Sequence, residues 1–126
     1  MPTIPRYYAA ACQIDLDNPT HRDQIPPRVD RMLEMVEQAV VGYRPFFDVR
    51  LVVFPEFAHA APIYATAAEL LENLAVPIPN EHTDRYHKTA RELGVFIQTG
   101  TFLECSPRWP GHVFNTTCLI GPDGIL

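Results

Sequence analysis

Leu51-Val52-Val53-Phe54-Pro55-Glu56-Phe57 is the most informative stretch of this chain, because four apolar residues run into a proline and then a carboxylate. A short apolar run rich in valine is typical of a strand that is covered on both faces. Proline cannot continue the hydrogen-bond ladder, so the strand is predicted to end there. Glu56 then lies at the carboxyl end of a strand, where open α/β sheets bind ligands, and it is a candidate general base.

The segment before this strand predicts a β-α-β unit. Tyr7–Ile14 is a compact apolar run that predicts a buried strand, with Cys12 in the core. Pro27 can open a helix that Gly42 ends. The inward-facing stripe of this helix is predicted to comprise Val29, Met32, Leu33, Val36 and Val40. A helix between two strands implies parallel pairing through a right-handed crossover.

Two further helices are predicted after Glu56. Thr66-Ala67-Ala68-Glu69 matches a capping box, which predicts a short helix that ends before the proline-containing segment Val76–Pro79. The next helix is predicted to begin near Asn80 and to end at Gly94. Its inward-facing residues are predicted to be Tyr86, Ala90 and Leu93.

The last part of the chain predicts more strands. Val95–Gly100 continues the β-α-β order, and a polar loop then leads to a strand over His112–Ile120. Gly121-Pro122-Asp123-Gly124 is a strong turn signal, which predicts a returning strand. Only Ile125 and Leu126 of that strand are present, so we expect the chain to be truncated within an element.

The composition predicts one soluble domain. The chain has 126 residues, of which 47% are hydrophobic, and a chain of this size buries only about two-thirds of its unfolded surface. The net charge is −5 and no run of lysine and arginine occurs, so neither nucleic acid nor an anionic membrane is an expected partner. Met1–Arg6 lacks the features of a secretory signal and no segment has the length of a membrane span, which predicts a cytoplasmic protein.

The cysteines and histidines predict neither a disulfide framework nor a metal site. The three cysteines include no Cys-x-x-Cys pair, and the five histidines have no metal-ligand spacing. Each thiol is expected to be reduced, and no metal or cofactor is expected. Cys118 alternates with Phe114 and Thr116 along a predicted strand, which places it on a packed face and argues against its being a nucleophile.

The order of these motifs resembles the N-terminal half of the nitrilase superfamily of carbon–nitrogen hydrolases. The matching pieces are Ala11-Cys12-Gln13, Val53-Phe54-Pro55-Glu56, Ala90 to Gly100, Glu104, and Phe114-Asn115-Thr116-Thr117 followed by Gly121-Pro122-Asp123-Gly124. Each motif alone is weak, but their order and spacing match over nearly the whole chain. The resemblance implies an α/β fold of the nitrilase type, an α-β-β-α sandwich. Residues 1–126 would form roughly its first half, the N-terminal part of a single carbon–nitrogen hydrolase domain.

The resemblance also implies a Glu-Lys-Cys catalytic set. In that set a cysteine thiolate attacks a nitrile or amide carbon, the glutamate moves protons, the lysine stabilises the charged intermediate, and a thioester is then hydrolysed. Glu56 matches the family's glutamate. The family's lysine and cysteine follow the turn that is residues 121–124 here, so both are expected beyond Leu126. Lys88, in contrast, lies on a predicted helix before that turn.

Three residues that follow Glu56 are candidates for supporting roles. Phe57 and Tyr64 flank the loop after Glu56 and could wall a substrate pocket, or they could serve as ordinary core. His59 lies three residues after Glu56 and could orient it or act on substrate. A histidine in a loop is more often simply exposed, so His59 is expected to be exposed.

Two residues near the predicted strand ends are assigned structural support. Glu104 ends a strand and could pair with a backbone group or with Arg108, and direct contact with substrate is the alternative. The resemblance gives Asn115 a structural hydrogen-bonding role.

The sequence therefore predicts a hydrolase of a non-peptide carbon–nitrogen bond in an amide, nitrile or carbamoyl compound, acting with water when the full catalytic set is present. The full-length protein is expected to be a homo-oligomer. The alternative is a non-catalytic remnant or interaction module that keeps the first sheet and performs no chemistry. The absent lysine and nucleophile favour the alternative for these 126 residues alone, whereas the Glu56 motif favours an enzyme for the parent protein.

Overall fold

The computed structural model describes residues Met1 to Leu126 and contains one five-stranded sheet with three α-helices. The strands are β1 Tyr8–Ala11, β2 Val49–Val53, β3 Phe96–Glu104, β4 Phe114–Gly121 and β5 Gly124–Ile125. The helices are α1 Ile25–Val41, α2 Ala67–Asn73 and α3 Glu81–Leu93, and a 3₁₀ turn over Arg22–Gln24 precedes α1. The predicted α/β class is confirmed.

The strands lie side by side in chain order, β1-β2-β3-β4-β5. β1, β2 and β3 are parallel, with Ala9 opposite Leu51 and Val52 opposite Ile97. β4 and β5 are antiparallel to their neighbours. The predicted β-α-β unit is thus confirmed, because α1 connects β1 to its parallel neighbour. The carboxyl ends of the three parallel strands meet at one edge, which is where Glu56 follows β2.

The helices α1 and α3 cover one face of the sheet, and the main core lies between them. The fully buried members of this core include Val29, Met32 and Val36 of α1, Tyr86 and Ala90 of α3, and Val52, Ile97, Phe102 and Ile120 of the sheet. The predicted stripes of both helices are confirmed, although Leu33 and Leu93 are only half-buried at the margin. Cys12 also packs against this core and is half-buried.

The opposite face of the sheet has no covering layer in this chain. We call it the open face and define it by Tyr7, Leu51, Phe96, Leu119 and Leu126. Phe96 lies on β3 and Leu119 lies on β4 opposite Gln98, and both large apolar side chains remain 40% exposed. These are large apolar side chains in contact with water, so the two faces of one sheet differ sharply in burial.

The helix ends follow the local signals in the sequence. Thr66 accepts a hydrogen bond from the Glu69 amide at 3.2 Å, and the Glu69 carboxylate accepts one from the Thr66 amide at 3.1 Å. This reciprocal pair is the predicted capping box. Asn80 caps α3 through its side-chain oxygen, and Gly94 ends the helix with a φ of +67°. That left-handed conformation is one that glycine adopts without a steric penalty.

The structure moves several predicted boundaries. β1 is shorter than the predicted Tyr7–Ile14, and β3 continues past Gly100 to Glu104. The reason is a shift in the register of β3 and β4 between Gln98 and Thr101, after which the pairing resumes. A glycine in a strand pattern therefore marks a bulge here, not an end. No helix in the structure combines the length and the apolar character that crossing a membrane requires.

Candidate active site

Glu56 lies in the turn that directly follows β2, at the carboxyl edge of the parallel strands. The Phe54 amide, directly after β2, donates to the Gln98 carbonyl of β3 at 3.0 Å. Pro55 has no amide hydrogen to donate, and the chain leaves the ladder there. The predicted location of Glu56 is therefore confirmed, and its carboxylate is exposed.

The Glu56 carboxylate is held by a side chain from β4. The Asn115 side-chain amide donates a hydrogen bond to Glu56 Oε1 at 2.7 Å. Asn115 lies opposite Leu103 in the β3–β4 ladder, so the amide sits on a rigid strand. A hydrogen bond to an ionised carboxylate is stronger than one between neutral groups. Asn115 thus fixes one oxygen of Glu56 and leaves the other free to take or give a proton.

The turn that carries Glu56 is pressed against β3. A Cβ at Gly100 would lie 2.3 Å from the Pro55 carbonyl oxygen and 2.6 Å from Ala58 Cβ, so only glycine allows this approach. Phe57 has a φ of +57°, the left-handed region that non-glycine residues seldom adopt. Its amide donates to Thr101 Oγ1 at 2.6 Å, which holds it there. A backbone of this kind costs about 1–3 kcal/mol and is found mainly at functional sites.

His59 is buried, which corrects the expectation of an exposed loop histidine. Its side chain is 0% exposed, and its ring stacks on Phe102 with the ring centroids 3.5 Å apart. Nδ1 lies 3.0 Å from the Thr101 carbonyl oxygen and Nε2 lies 2.9 Å from the Tyr86 hydroxyl. Burial lowers the pKa of His59 to about 3, with the nearby charge of Arg28 acting in the same direction. The ring is therefore neutral at ordinary pH.

Arg28 is a further residue of this region that the sequence analysis did not single out. It lies on α1 and is 6% exposed, and its Nε donates to the Ala58 carbonyl at 3.0 Å. The same guanidinium donates to the Leu16 and Asp17 carbonyls at 3.2 and 2.6 Å. Arg28 thereby joins the segment after β1 to the turn after β2. Arg28 is one helical turn from both Ile25 and Met32 and so shares the buried face of α1, and this spacing was the available signal. A buried arginine requires several acceptors.

Phe57 and Tyr64 are the two residues that were predicted as possible walls of a substrate pocket. Phe57 is half-buried and adjoins Glu56 in the turn, so the prediction that it walls a substrate pocket stays a prediction. The Tyr64 hydroxyl donates to the Thr20 carbonyl at 2.8 Å, and its ring packs against a small apolar cluster that includes Leu70 of α2. Tyr64 is half-buried, and the choice between a pocket wall and ordinary core stays a prediction for it as well.

Glu104 is bound by Thr116, not by Arg108. The Thr116 hydroxyl donates to Glu104 Oε2 at 2.5 Å, across neighbouring strands. Cys118 lies on the same strand as Thr116 and is 4% exposed, as the predicted packed face requires. Burial raises the pKa of the Cys118 thiol, and the Glu104 carboxylate raises it further. A thiol in this setting stays protonated and is a poor nucleophile.

No hydrogen bond or ion pair joins Cys12, Cys105 or Lys88 to Glu56. Burial also raises the pKa of Cys12, and Lys88 is exposed on α3, on the helical side of the sheet. No group of three or more histidine, cysteine, aspartate or glutamate side chains could hold a metal ion. Within these 126 residues the candidate site therefore consists of Glu56, the turn that carries it, and Asn115 on β4.

The fold defines an α/β protein with a carboxylate at the carboxyl end of β2. The model of one family, described as carbon-nitrogen hydrolase, matches residues 8–126, and the chain belongs to that family. The resemblance to the nitrilase superfamily inferred from the sequence motifs is thereby confirmed.

Solved structures share the fold at low sequence identity. The chain is similar to Nit3 of Saccharomyces cerevisiae, a member of branch 10 of the nitrilase superfamily, with 17% identity and a TM-score of 0.63 over 90% of this chain and 40% of Nit3. It is similar to an N-terminal amidase at 12% identity and a TM-score of 0.70, over 94% of this chain and 26% of that one. It is similar to the NitFhit protein of C. elegans at 19% identity and a TM-score of 0.64, over 92% of this chain and 25% of that one. The 126 residues thus span less than half the length of these proteins.

Proposed function

We propose that Glu56 is the proton carrier of an enzyme that hydrolyses a non-peptide carbon–nitrogen bond in an amide, nitrile or carbamoyl compound. Membership of the carbon–nitrogen hydrolase family supports the reaction class. The observation that carries the proposal for Glu56 is its hydrogen bond to Asn115 at the carboxyl end of β2. A carboxylate fixed through one oxygen at a ligand-binding edge has the geometry of a general base.

The chemistry requires a thiol and a cation in addition to Glu56. For an amide, Glu56 would take the thiol proton as the sulfur bonds to the carbonyl carbon, and would give it to the departing amine as the carbon–nitrogen bond breaks. Water would then lose a proton to Glu56 and attack the thioester, releasing the acid and restoring the thiol. A lysine would stabilise the negative oxygen in both steps. Water is the only co-reactant, and no cofactor is involved.

These 126 residues alone are proposed to be inactive. Cys118 is buried and Lys88 is exposed on α3, so neither is offered as the nucleophile or the cation. This observation also favours the second candidate function, a non-catalytic interaction module that retains the sheet. Reading the coding DNA past the codon for Leu126 separates the two, because only the enzyme requires a later lysine and cysteine in frame. The homo-oligomeric state and the cytoplasmic location remain proposals for the full-length protein.

The test is ammonia release by the protein expressed from its complete reading frame. The substrates are simple amides, nitriles and carbamoyl compounds, together with peptides that begin with asparagine or glutamine, since the N-terminal amidase was solved with Asn-Glu and Gln-Val peptides. We expect Glu56→Gln to lower kcat/KM by about 10²–10⁴-fold, because the amide cannot carry the proton. Glu37→Gln, an exposed change on α1, serves as the matched control and should leave the rate unchanged.

Two outcomes would contradict the proposal. An active protein whose rate is unaffected by Glu56→Gln would exclude Glu56 as the proton carrier. Ammonia release by the purified 126-residue chain that disappears on Glu56→Gln would show that this chain holds its own nucleophile.

A further inference from the structure

His59 is joined to the turn that carries Glu56 on one side and to the helical layer on the other. Its Nδ1 lies 3.0 Å from the Thr101 carbonyl oxygen on β3, and its Nε2 lies 2.9 Å from the Tyr86 hydroxyl on α3. Its own backbone amide also donates to the Thr101 carbonyl, at 3.4 Å. The His59 imidazole thus connects the turn after β2 both to β3 in the sheet and to α3 in the helical layer.

The partners of His59 determine which ring nitrogen carries the proton. The Thr101 carbonyl oxygen can only accept a hydrogen bond, so Nδ1 must be the donor. In a neutral ring Nε2 is then an acceptor, and the Tyr86 hydroxyl must donate its single proton to it. Met32 Sδ, which lies 3.3 Å from the same hydroxyl, is left as a packing partner. The tautomer and the direction of both bonds follow from these contacts.

Thr101 is the point at which the turn is fastened to β3. Its hydroxyl accepts from the Phe57 amide at 2.6 Å, while its carbonyl accepts from the ring and the amide of His59. The residue between these two, Ala58, has its carbonyl bound by Arg28. The three residues after Glu56 are therefore each held by a polar bond to β3 or α1.

We propose that His59 is a positioning residue for Glu56, which acts by fastening the turn after β2 to Thr101 in the Nδ1–H tautomer. This inference rests on the proposed role of Glu56 as the proton carrier. Phe57 is held in a left-handed conformation, so a turn released from Thr101 relaxes toward commoner backbone geometry and moves the carboxylate away from Asn115. His59 does not touch the reacting atoms and acts only through Glu56.

A simple core histidine is the competing interpretation, and two substitutions of similar size separate it from the proposal. Asparagine at position 59 places an amide N–H near the position of Nδ1 and keeps a donor for the Thr101 carbonyl, but it buries a polar group with less packing. Leucine fills the apolar site and offers no donor. A packing role predicts that leucine is tolerated better, whereas a positioning role predicts that asparagine keeps the turn in place.

The experiment is hydrogen exchange with mass spectrometry on the protein expressed from its complete reading frame, which needs no turnover. We expect His59→Leu to speed exchange in peptides that cover residues 54–60 by about tenfold, because one of the three bonds that fasten the turn to Thr101 is lost. His59→Asn should stay within about threefold of the unsubstituted protein in the same peptides. Peptides from β4 and α1 should be unchanged in both variants. Tyr86→Phe, which removes only the hydroxyl, should speed exchange in residues 54–60 by a smaller factor and keeps the test valid if a change at position 59 prevents folding.

Activity gives a second readout that separates this inference from the proposed function. If the protein is active, His59→Leu should lower kcat by about tenfold and leave KM within about twofold, with His59→Asn restoring most of kcat. Unchanged exchange in residues 54–60, or a uniform rise across all peptides, in either His59→Leu or Tyr86→Phe would overturn the positioning role. A protein that shows the local exchange pattern but releases no ammonia would overturn the proposed function and leave standing only that His59 fastens the turn to Thr101.

Discussion

The two faces of the sheet differ in burial although they are built from neighbouring residues of the same strands. Ile97 and Ile120 point to the helices and are 0% exposed, whereas the adjacent Phe96 and Leu119 point to the open face and are each 40% exposed. An antiparallel pair with one face in water normally alternates apolar with polar residues. β3 and β4 carry apolar residues on both sides, so their sequences suit a sheet that is covered twice. From this contrast we expect the open face to make contacts with another surface.

The sharpest test of this contrast uses the same substitution on each face. In the 126-residue chain, we expect Phe102→Ala to lower the free energy of unfolding by about 3–5 kcal/mol, since Phe102 is fully buried under the helices. Phe96→Ala should cost about 1 kcal/mol, because the ring is already partly in water. Urea titrations at one protein concentration measure both values. Equal losses would mean that the open face is covered in solution, by a second copy or by further chain.

The free energy of unfolding should also depend on pH, because a histidine is buried on the helix-covered face. The pKa of His59 is about 3 in the folded state and 6.5 when unfolded, so the unfolded state binds the proton first. Stability is therefore fully present above pH 6.5 and is lost as the pH falls toward about 3. Between pH 6.5 and about pH 5 the loss from this group should be on the order of 1–2 kcal/mol.

The groups that face His59 are Arg28 on α1 and both Tyr86 and His82 on α3. His82 contributes with the same sign, because burial lowers its pKa as well. His59→Leu should flatten the stability profile between pH 6.5 and about pH 5, whereas His21→Leu, an exposed change, should leave it as it was. An unaltered slope in His59→Leu would show that the acid sensitivity comes from other groups.

The smallest expected effect on stability is at the open face, and it is paired with an effect on association. We expect the 126-residue chain to dimerise or aggregate and to bind a hydrophobic dye, since the open face and the edge beside Ile125 lack partners. Leu119→Thr should weaken both properties while changing the free energy of unfolding by less than about 0.5 kcal/mol. Sedimentation that shows a stable monomer, with a cooperative melt and no dye binding, would refute this expectation.

Local signals allowed much of the fold to be predicted from the sequence. The capping box at Thr66 and Glu69, the helix start near Asn80 and the helix end at Gly94 all depend on residues close in sequence, and all three were confirmed. The strand before Pro55 was also correct in place, with its start moved to Val49. Short-range chemistry of this kind is visible without knowledge of the packing.

The candidate site was only partly predictable because its contacts join distant residues. Glu56 was identified from the strand end, but the burial of His59 depends on Thr101 and Tyr86, which are 42 and 27 residues away. The pairing of Glu104 with Thr116 similarly requires the antiparallel register of β3 and β4. The residues near a histidine in a turn do not indicate whether a later strand will cover it.

Gly100 should make the site sensitive to substitution at a position that has no catalytic group, and a scan of all substitutions would detect this. It has no functional group, yet any side chain there would collide with the Pro55 carbonyl and with Ala58. A chemically inert position should therefore tolerate as few replacements as the carboxylate that it supports. Alanine at position 100 would test this most economically, because one added methyl group must displace the whole turn.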